Sequence, residues 1–287
     1  MRKHYWSSGT RPGTGGFPQW SLTPVQGTNS YTTVRYWVML QLVKRIFSHQ
    51  HESRLTYYRA RLRVALPLPS TRNLDLAARI YGTDKSSRYH GYTEQYLDHL
   101  ASRRRHVRSV LEIGIGGITS RTGFDTLAGG QSLKMWRSFF PRAQIVGIDI
   151  KEKAVKGRRI STECGSQNDP KFLSGIAQKY GPFDLVIDDG SHIASHVRTS
   201  FETLFEHVRT GGIYVIEDLE HAYSPERGGG PPGSHGGHMA LLKSLLDDVL
   251  RRHWDHQGTA RHVASVHVYD EIAFIYKEDY RKLNSKK

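Results

Sequence analysis

Cysteine is nearly absent from this 287-residue chain: Cys164 is the only one. That excludes an intramolecular disulfide framework and a cysteine-rich zinc module, and it fits a reducing, cytoplasmic compartment. Long apolar runs are missing too. None approaches the roughly 20 residues needed to span a bilayer, so no transmembrane segment is expected. Acids are scarce at one end. Residues 1–70 hold one, Glu52, against ten Lys and Arg, which places a net +9 of the chain's +14 there. A basic excess of this size suggests nucleic acid or an anionic surface. Because it is concentrated in one stretch, no stable nucleic-acid partner is expected for the rest. No internal repeat is visible, and 37% apolar against 24% charged residues is enough core to exclude wholesale disorder.

The chain reads as a basic, partly disordered N-terminal extension, 1–70, followed by one α/β domain, 71–287. Residues 1–34 are rich in Gly, Pro, Ser and Thr without a sustained period, and the pattern of 36–47 is compatible with a short amphipathic helix. An Arg-bearing, acid-poor start also resembles an organelle transit peptide, against which its Gly and Pro content stands. Translation from Met39 is another alternative, which the intact mass of the native protein decides.

Within the domain, apolar runs at Val110–Gly114, Gln144–Ile150, Arg159–Cys164, Phe183–Asp188 and Gly212–Glu217 read as strands of a parallel sheet covered on both faces. Helical stripes lie between them: Leu133, Trp136 and Phe140; Val197, Phe201, Leu204, Phe205 and Val208; and Met239–Leu250. Ser265–Tyr269 and Ile272–Lys277 flank Asp270-Glu271 as a closing antiparallel hairpin. The expected fold is a Rossmann-like, doubly wound, mostly parallel sheet of seven strands.

Ligands in such sheets bind beyond the carboxyl ends of the strands. After the first strand, Glu112-Ile-Gly114-Ile-Gly116-Gly117 lets the backbone turn sharply near a ligand, although a plain tight turn explains it as well. Asp149 closes the second strand, where an acid accepts from ribose hydroxyls. The pair suggests a nucleoside cofactor but does not separate NAD from S-adenosylmethionine, and the 37 residues from Glu112 to Asp149 exceed the usual ~20. Residues 118–130 read as an insertion. Strand four ends Asp188-Asp189-Gly-Ser-His192 and strand five Glu217-Asp218, so their carboxylates converge, neighbouring strands lying about 4.8 Å apart. Such acids repel unless a cation sits among them, and oxygen donors favour Mg²⁺, Mn²⁺ or Ca²⁺. His192 then stands as a base. Capping of the next helices or pairing with Arg is the plainer reading of the acids, Asp188 above all. A zinc site of Asp189, His192 and His196 is a rival, weakened by an N-cap expected at Ser191 or Ser195. The remaining histidines, His235 and His238 among them, are expected to be solvated. The Gly/Pro loop 228–237 could order over a substrate.

Taken together, Tyr81-Gly-Thr-Asp-Lys85, His90-x-Tyr92, LEIGIGG, Gly129–Trp136, Ile148-Asp149-Ile150, Gly165-Ser-Gln167, IDDGSH and VIEDLE resemble the metal-dependent, S-adenosylmethionine-dependent sugar O-methyltransferases, over about residues 74–232. That resemblance implies a class I methyltransferase fold and a glycoside acceptor: a bacterial antibiotic or a cell-envelope glycan. It implies Mg²⁺, or Mn²⁺ in its place, on Asp189, Glu217 and Asp218, with His192 as general base. Glu112 and Gly114 match the donor loop, Asp149 the ribose contact, and Ser166-Gln167 the segment near the adenine. Tyr81, Lys85 and Asp188 join the donor-site residues, the stretches 81–85 and 90–92 closing that site. Residues 118–128 and the extension 1–70 depart from the family pattern, which leaves the acceptor and a homo-oligomer open. Methylation of a catechol or another vicinal diol, a donor-binding protein without catalysis, and a nucleic-acid binder using its basic arm remain as alternatives.

Overall fold

A computed structural model of the chain describes residues 70–116, 129–155, 157–234, 236–251 and 262–278. Two compact units, 1–51 and 52–287, make up the chain, and all described residues belong to the second. The expectations for 1–69, the start at Met39, the insertion at 118–128 and His235 lie outside the described residues.

Seven strands form one sheet: β1 (Ser109–Ile113), β2 (Gln144–Asp149), β3 (Ile160–Cys164), β4 (Phe183–Asp188), β5 (Val208–Ile216), β6 (Val263–Val268) and β7 (Ala273–Lys277). Their order is β3-β2-β1-β4-β5-β7-β6. The first five pair in parallel, whereas β7 runs antiparallel to both β5 and β6. This is the expected doubly wound sheet with its terminal hairpin. The strand order switches sides between β1 and β4, which run parallel, and the crevice above that switch point is where a ligand belongs.

Among the described residues, six α-helices cover the two faces: α1 (Leu74–Tyr81), α2 (Thr93–Leu100), α3 (Gln131–Phe139), α4 (Pro170–Tyr180), α5 (Ala194–Leu204) and α6 (Gly237–Val249). Residues alternate along β1: Val110 packs with α1, α2 and α3 on one face, whereas Leu111 and Ile113 pack with α4, α5 and α6 on the other. A two-residue side-chain period serving two cores explains why these strands read as continuous apolar runs.

Three of the helices stand beyond those expected. In α1, Leu74, Ala77, Ala78 and Tyr81 bury one face at helical spacing, Asn73 Oδ1 caps by accepting from Leu76 N, and Gly82 ends the helix at φ 74°. α2 is short and mostly polar, burying Thr93, Tyr96 and Leu100. α4 starts at Pro170 with Asp169 Oδ1 accepting from Lys171 N and Phe172 N. At the start of α5, Ile193 holds the cap position rather than Ser191 or Ser195, so His192 precedes the helix and does not share a helical face with His196. His238 is also unlike expectation. It is buried at the start of α6, with both ring nitrogens unpartnered among the described residues, and burial pushes its pKa down to about 4. Its neighbours in the fold, rather than its Gly-rich sequence surroundings, decide its exposure.

Candidate active site

The ends of β1, β4 and β5 carry the site. Gly114 turns the chain out of β1 at φ 76°, and a Cβ there would lie 1.9 Å from the carbonyl oxygen of Asp189. Only glycine tolerates that conformation and that approach together. The glycine turn after β1 and the acidic turn after β4 therefore touch through their backbones. Two non-glycine residues of the site also hold left-handed backbone, His192 at φ 54° and Asp218 at φ 56°. Such conformations cost of order 1–3 kcal/mol and persist where the surroundings over-determine them.

The surroundings do so here. Asp188 is fully buried and accepts from Gln167 Nε2 at 3.1 Å, Tyr214 OH at 3.1 Å and the Ser200 hydroxyl. Gln167 in turn accepts from Ser191 N through Oε1 at 2.6 Å, and the Arg227 guanidinium donates to the Ser191 carbonyl. Ser191 Oγ and His196 Nδ1 lie 2.9 Å apart. The turn bearing His192 is thus tied on both sides. Burial pushes the Asp188 carboxyl up to about 6, with the three donors restraining it.

Above that foundation lie the acids. Asp189 and Asp218 approach His192 Nε2, at 4.0 Å and 3.3 Å, and the three offer ligand atoms all within 4.8 Å of one another. Tyr92 OH donates to Asp218 Oδ1 at 2.7 Å. Burial lowers the His192 pKa from its ordinary 6.5, Asp218 opposing and His221, Arg227 and Lys85 adding to the fall, so the ring is neutral at neutral pH. Glu217 points elsewhere. It is fully buried, taking Tyr96 OH at 2.5 Å on Oε1 and the Lys85 ammonium on Oε2.

Lys85 is the cation that the sequence requires among these acids. It is 1% exposed and its Nζ lies 2.5 Å from Asp189 Oδ2 and 3.6 Å from Glu112 Oε1. Burial disfavours its charge, but Asp189, Glu217 and Glu112 together outweigh that and lift its pKa well above the ordinary lysine value. Glu112, buried in β1, is pushed up to about 7 by that burial, Lys85 being the main restraint. Burial, with repulsion from neighbouring acids, raises the carboxyls of Asp189, held beside Glu217 and Asp218, and of Glu217, Lys85 being the main restraint on each. Crowded hard oxygen donors of this kind fit a divalent cation of the Mg²⁺ or Mn²⁺ kind.

A cavity of about 330 Å³ opens between the segment after α1 and the glycine turn, lined by Gly82, Asp84, Lys85, Ile115, Gly116 and Asp189 among others. Its size suits a small-molecule ligand. Lys85 thus faces Ile115 and Gly116 of the glycine turn across the cavity, and Gly114 is not part of its lining. Asp149 stands close by, its Oδ2 accepting from Ile115 N at 3.3 Å and its Oδ1 from Lys151 N at 2.9 Å. The other donor-site candidates are occupied differently. Tyr81 is buried, with its hydroxyl 3.1 Å from Ser138 Oγ, and packs α1 instead of lining the cavity. Gln167 and Asp188 brace the His192 turn, and Ser166 Oγ accepts from Asn168 N. Tyr96 was not foreseen, nor was Tyr92 as a partner of Asp218. Their spacing of four on one helical stretch is the signal that the pair shares a face.

Mycinamicin VI 2''-O-methyltransferase of Micromonospora griseorubida is 46% identical over 206 residues, 69% of this chain and 50% of that protein. By sequence, this chain is similar to sugar O-methyltransferases over 69% of its length. Another member, the 8-demethyl-8-(2-methoxy-alpha-L-rhamnosyl)-tetracenomycin-C 3'-O-methyltransferase of Streptomyces olivaceus, is 44% identical over 211 residues, 70% of this chain and 53% of that one. The structure of MycE, a methyltransferase of the mycinamycin biosynthetic pathway solved with Mg, SAH and mycinamycin VI, superposes with TM-score 0.66 at 46% identity, covering 72% of this chain and 54% of that one. The chain spans about half the length of the curated relatives it matches. No family model matches it.

Proposed function

We propose that this protein transfers a methyl group from S-adenosylmethionine to a hydroxyl of a sugar on a glycosylated natural product, with a divalent cation, Mg²⁺ or Mn²⁺, held by Asp189, Glu217 and Asp218. The observation that carries this reading is a neutral, nearly buried imidazole whose Nε2 faces Asp218 and Asp189 at the crest of β4 and β5. When bound, the donor supplies an electrophilic sulfonium methyl, and the cation lowers the proton affinity of a chelated hydroxyl.

The chain's own residues do the rest. His192 takes the hydroxyl proton at Nε2, and Asp218, 3.3 Å away, stabilises the imidazolium that forms. Tyr92 fixes Asp218, Lys85 and Tyr96 fix Glu217, and the Asp188–Gln167–Ser191 chain fixes the turn that carries His192. Gly116 leaves room for the donor in the cavity beside Lys85, Gly114 lets the turn pack against the Asp189 backbone, and Asp149 at the end of β2 is the ribose partner. The single cysteine accords with action in the cytoplasm.

The test is methyl transfer from labelled donor to a panel of macrolide glycosides, a deoxysugar and a catechol, with Mg²⁺ and with EDTA. His192→Ala should lose about 10²–10⁴-fold in rate while binding S-adenosylhomocysteine as before. Undiminished transfer by that variant, or full activity in EDTA, refutes the assignment; transfer to the catechol alone replaces the sugar with a vicinal diol.

A further inference from the structure

Three acids converge on one ammonium, and they do not hold it equally. Lys85 Nζ meets Asp189 at 2.5 Å and Glu217 more closely still, while Glu112 Oε1 stands at 3.6 Å. Tyr96 takes the other oxygen of Glu217. With both oxygens engaged, Glu217 cannot join Asp189 and Asp218 around a cation until Lys85 releases it.

A buried ammonium is not released into nothing, because an unpaired ion inside protein costs several kcal/mol. One carboxylate within its reach has room. Glu112 is fully buried, and neither of its oxygens is in hydrogen-bond geometry with a partner among the described residues, although Ser132 and Trp136 stand near. A buried polar group left in this way calls for an explanation. Its position supplies one: Glu112 on β1 neighbours β4, the strand that leads to Asp189, so a small rotation of the lysine side chain exchanges one acid for another.

We propose that Lys85 is a resident counter-ion that holds Asp189 and Glu217 while no divalent cation is bound and passes to Glu112 when one binds. This rests on the reading of Asp189, Glu217 and Asp218 as cation ligands. Lys85 is then a positioning residue: it keeps the acids from repelling one another in the empty protein and competes with the metal for them. The balance between its two stations sets the metal affinity.

The experiment is Mn²⁺ titration of the full-length, metal-free protein, followed by electron paramagnetic resonance, for wild type, Lys85→Met and Glu112→Gln. Lys85→Met removes the competitor, so Mn²⁺ should bind at least about tenfold more tightly, while the thermal midpoint of the metal-free protein falls. Glu112→Gln is nearly isosteric and removes the second station, so Mn²⁺ should bind several-fold more weakly. A role in stability alone gives no tightening in Lys85→Met, and that result overturns the proposal. Unchanged affinity in Glu112→Gln overturns the transfer to Glu112. Wild type that binds no Mn²⁺ overturns the cation reading of the site itself, a different failure from either.

Discussion

Tyr214→Phe isolates one strut beneath the active site. The ring is fully buried, packs edge-on to Phe201 with centroids 5.1 Å apart, and donates its hydroxyl to Asp188 Oδ2 at 3.1 Å. Phenylalanine keeps the packing and removes only the donor. A hydrogen bond to a charged acceptor is worth about 1.5–3 kcal/mol, against about 0.5–1.5 kcal/mol between neutral partners. Asp188 titrates in the folded protein at about 6, above the 3.8 of an ordinary Asp carboxyl. Its raised value means that the folded state holds a proton which the unfolded chain gives up between those two pH values, so ionisation at this site works against stability as pH rises through that window. At pH 8 Asp188 is ionised and Tyr214→Phe should cost about 2 kcal/mol; at pH 5 it is protonated and the cost should fall to about 1 kcal/mol. By linkage, the difference equals a further rise of the Asp188 carboxyl by roughly one pH unit. Urea unfolding at the two pH values measures both costs, with equal slopes showing that the unfolded states match. The same cost at pH 5 and pH 8 would refute the charged partnership of Tyr214 and Asp188.

Gly114→Ala should lose S-adenosylhomocysteine affinity by at least about tenfold in calorimetry, because its Cβ would meet the Asp189 carbonyl in backbone that disfavours side chains. Binding within twofold of wild type would show that the turn has slack. Asp149→Asn should weaken donor binding but leave Mn²⁺ affinity unchanged, since Asp149 touches the glycine turn and none of the acids around His192. Parallel losses of both would refute its assignment to the donor. For the pH profile of turnover, burial holds His192 below 6.5, so the rate should stay level from neutrality down past that value and fall only as the ring gains its proton. An acid limb centred above 6.5 would contradict a buried base.

The sheet was legible because buried parallel strands leave little choice of residue. Val110–Ile113 and Phe183–Ile187 are apolar on both faces except where Glu112 and Asp184 intervene, and the acids that end β2, β4 and β5 stand where the switch point needs them. α1 and α4 escaped notice for a local reason: stripes such as Leu173, Ile176 and Ala177 are too short to impose a period, and their caps at Asn73 and Asp169 carry the stronger signal. The inner half of the site was not legible at all. Lys85 meets Asp189 across 104 residues of sequence and Glu217 across 132, and no local pattern records such a pairing. Charge balance called for a cation among the acids; folding supplied a lysine in advance of any metal. Glu217 reads like its neighbours at a strand end, yet Tyr96 and Lys85 turn it inward.

Among the described residues, the tyrosine and lysine donors to Glu217 and Asp218 precede the first strand. Lys85, Tyr92 and Tyr96 lie in the stretch between α1 and the end of α2, whereas Glu217 and Asp218, which they hold, follow β5. The segment ahead of β1 is therefore not a leader to a self-sufficient sheet. A chimaera or truncation cut at Ser109 would keep every strand and every acid but strand two carboxylates without their partners. A crossover that keeps these pairings has to fall upstream of Leu74, ahead of all three donors.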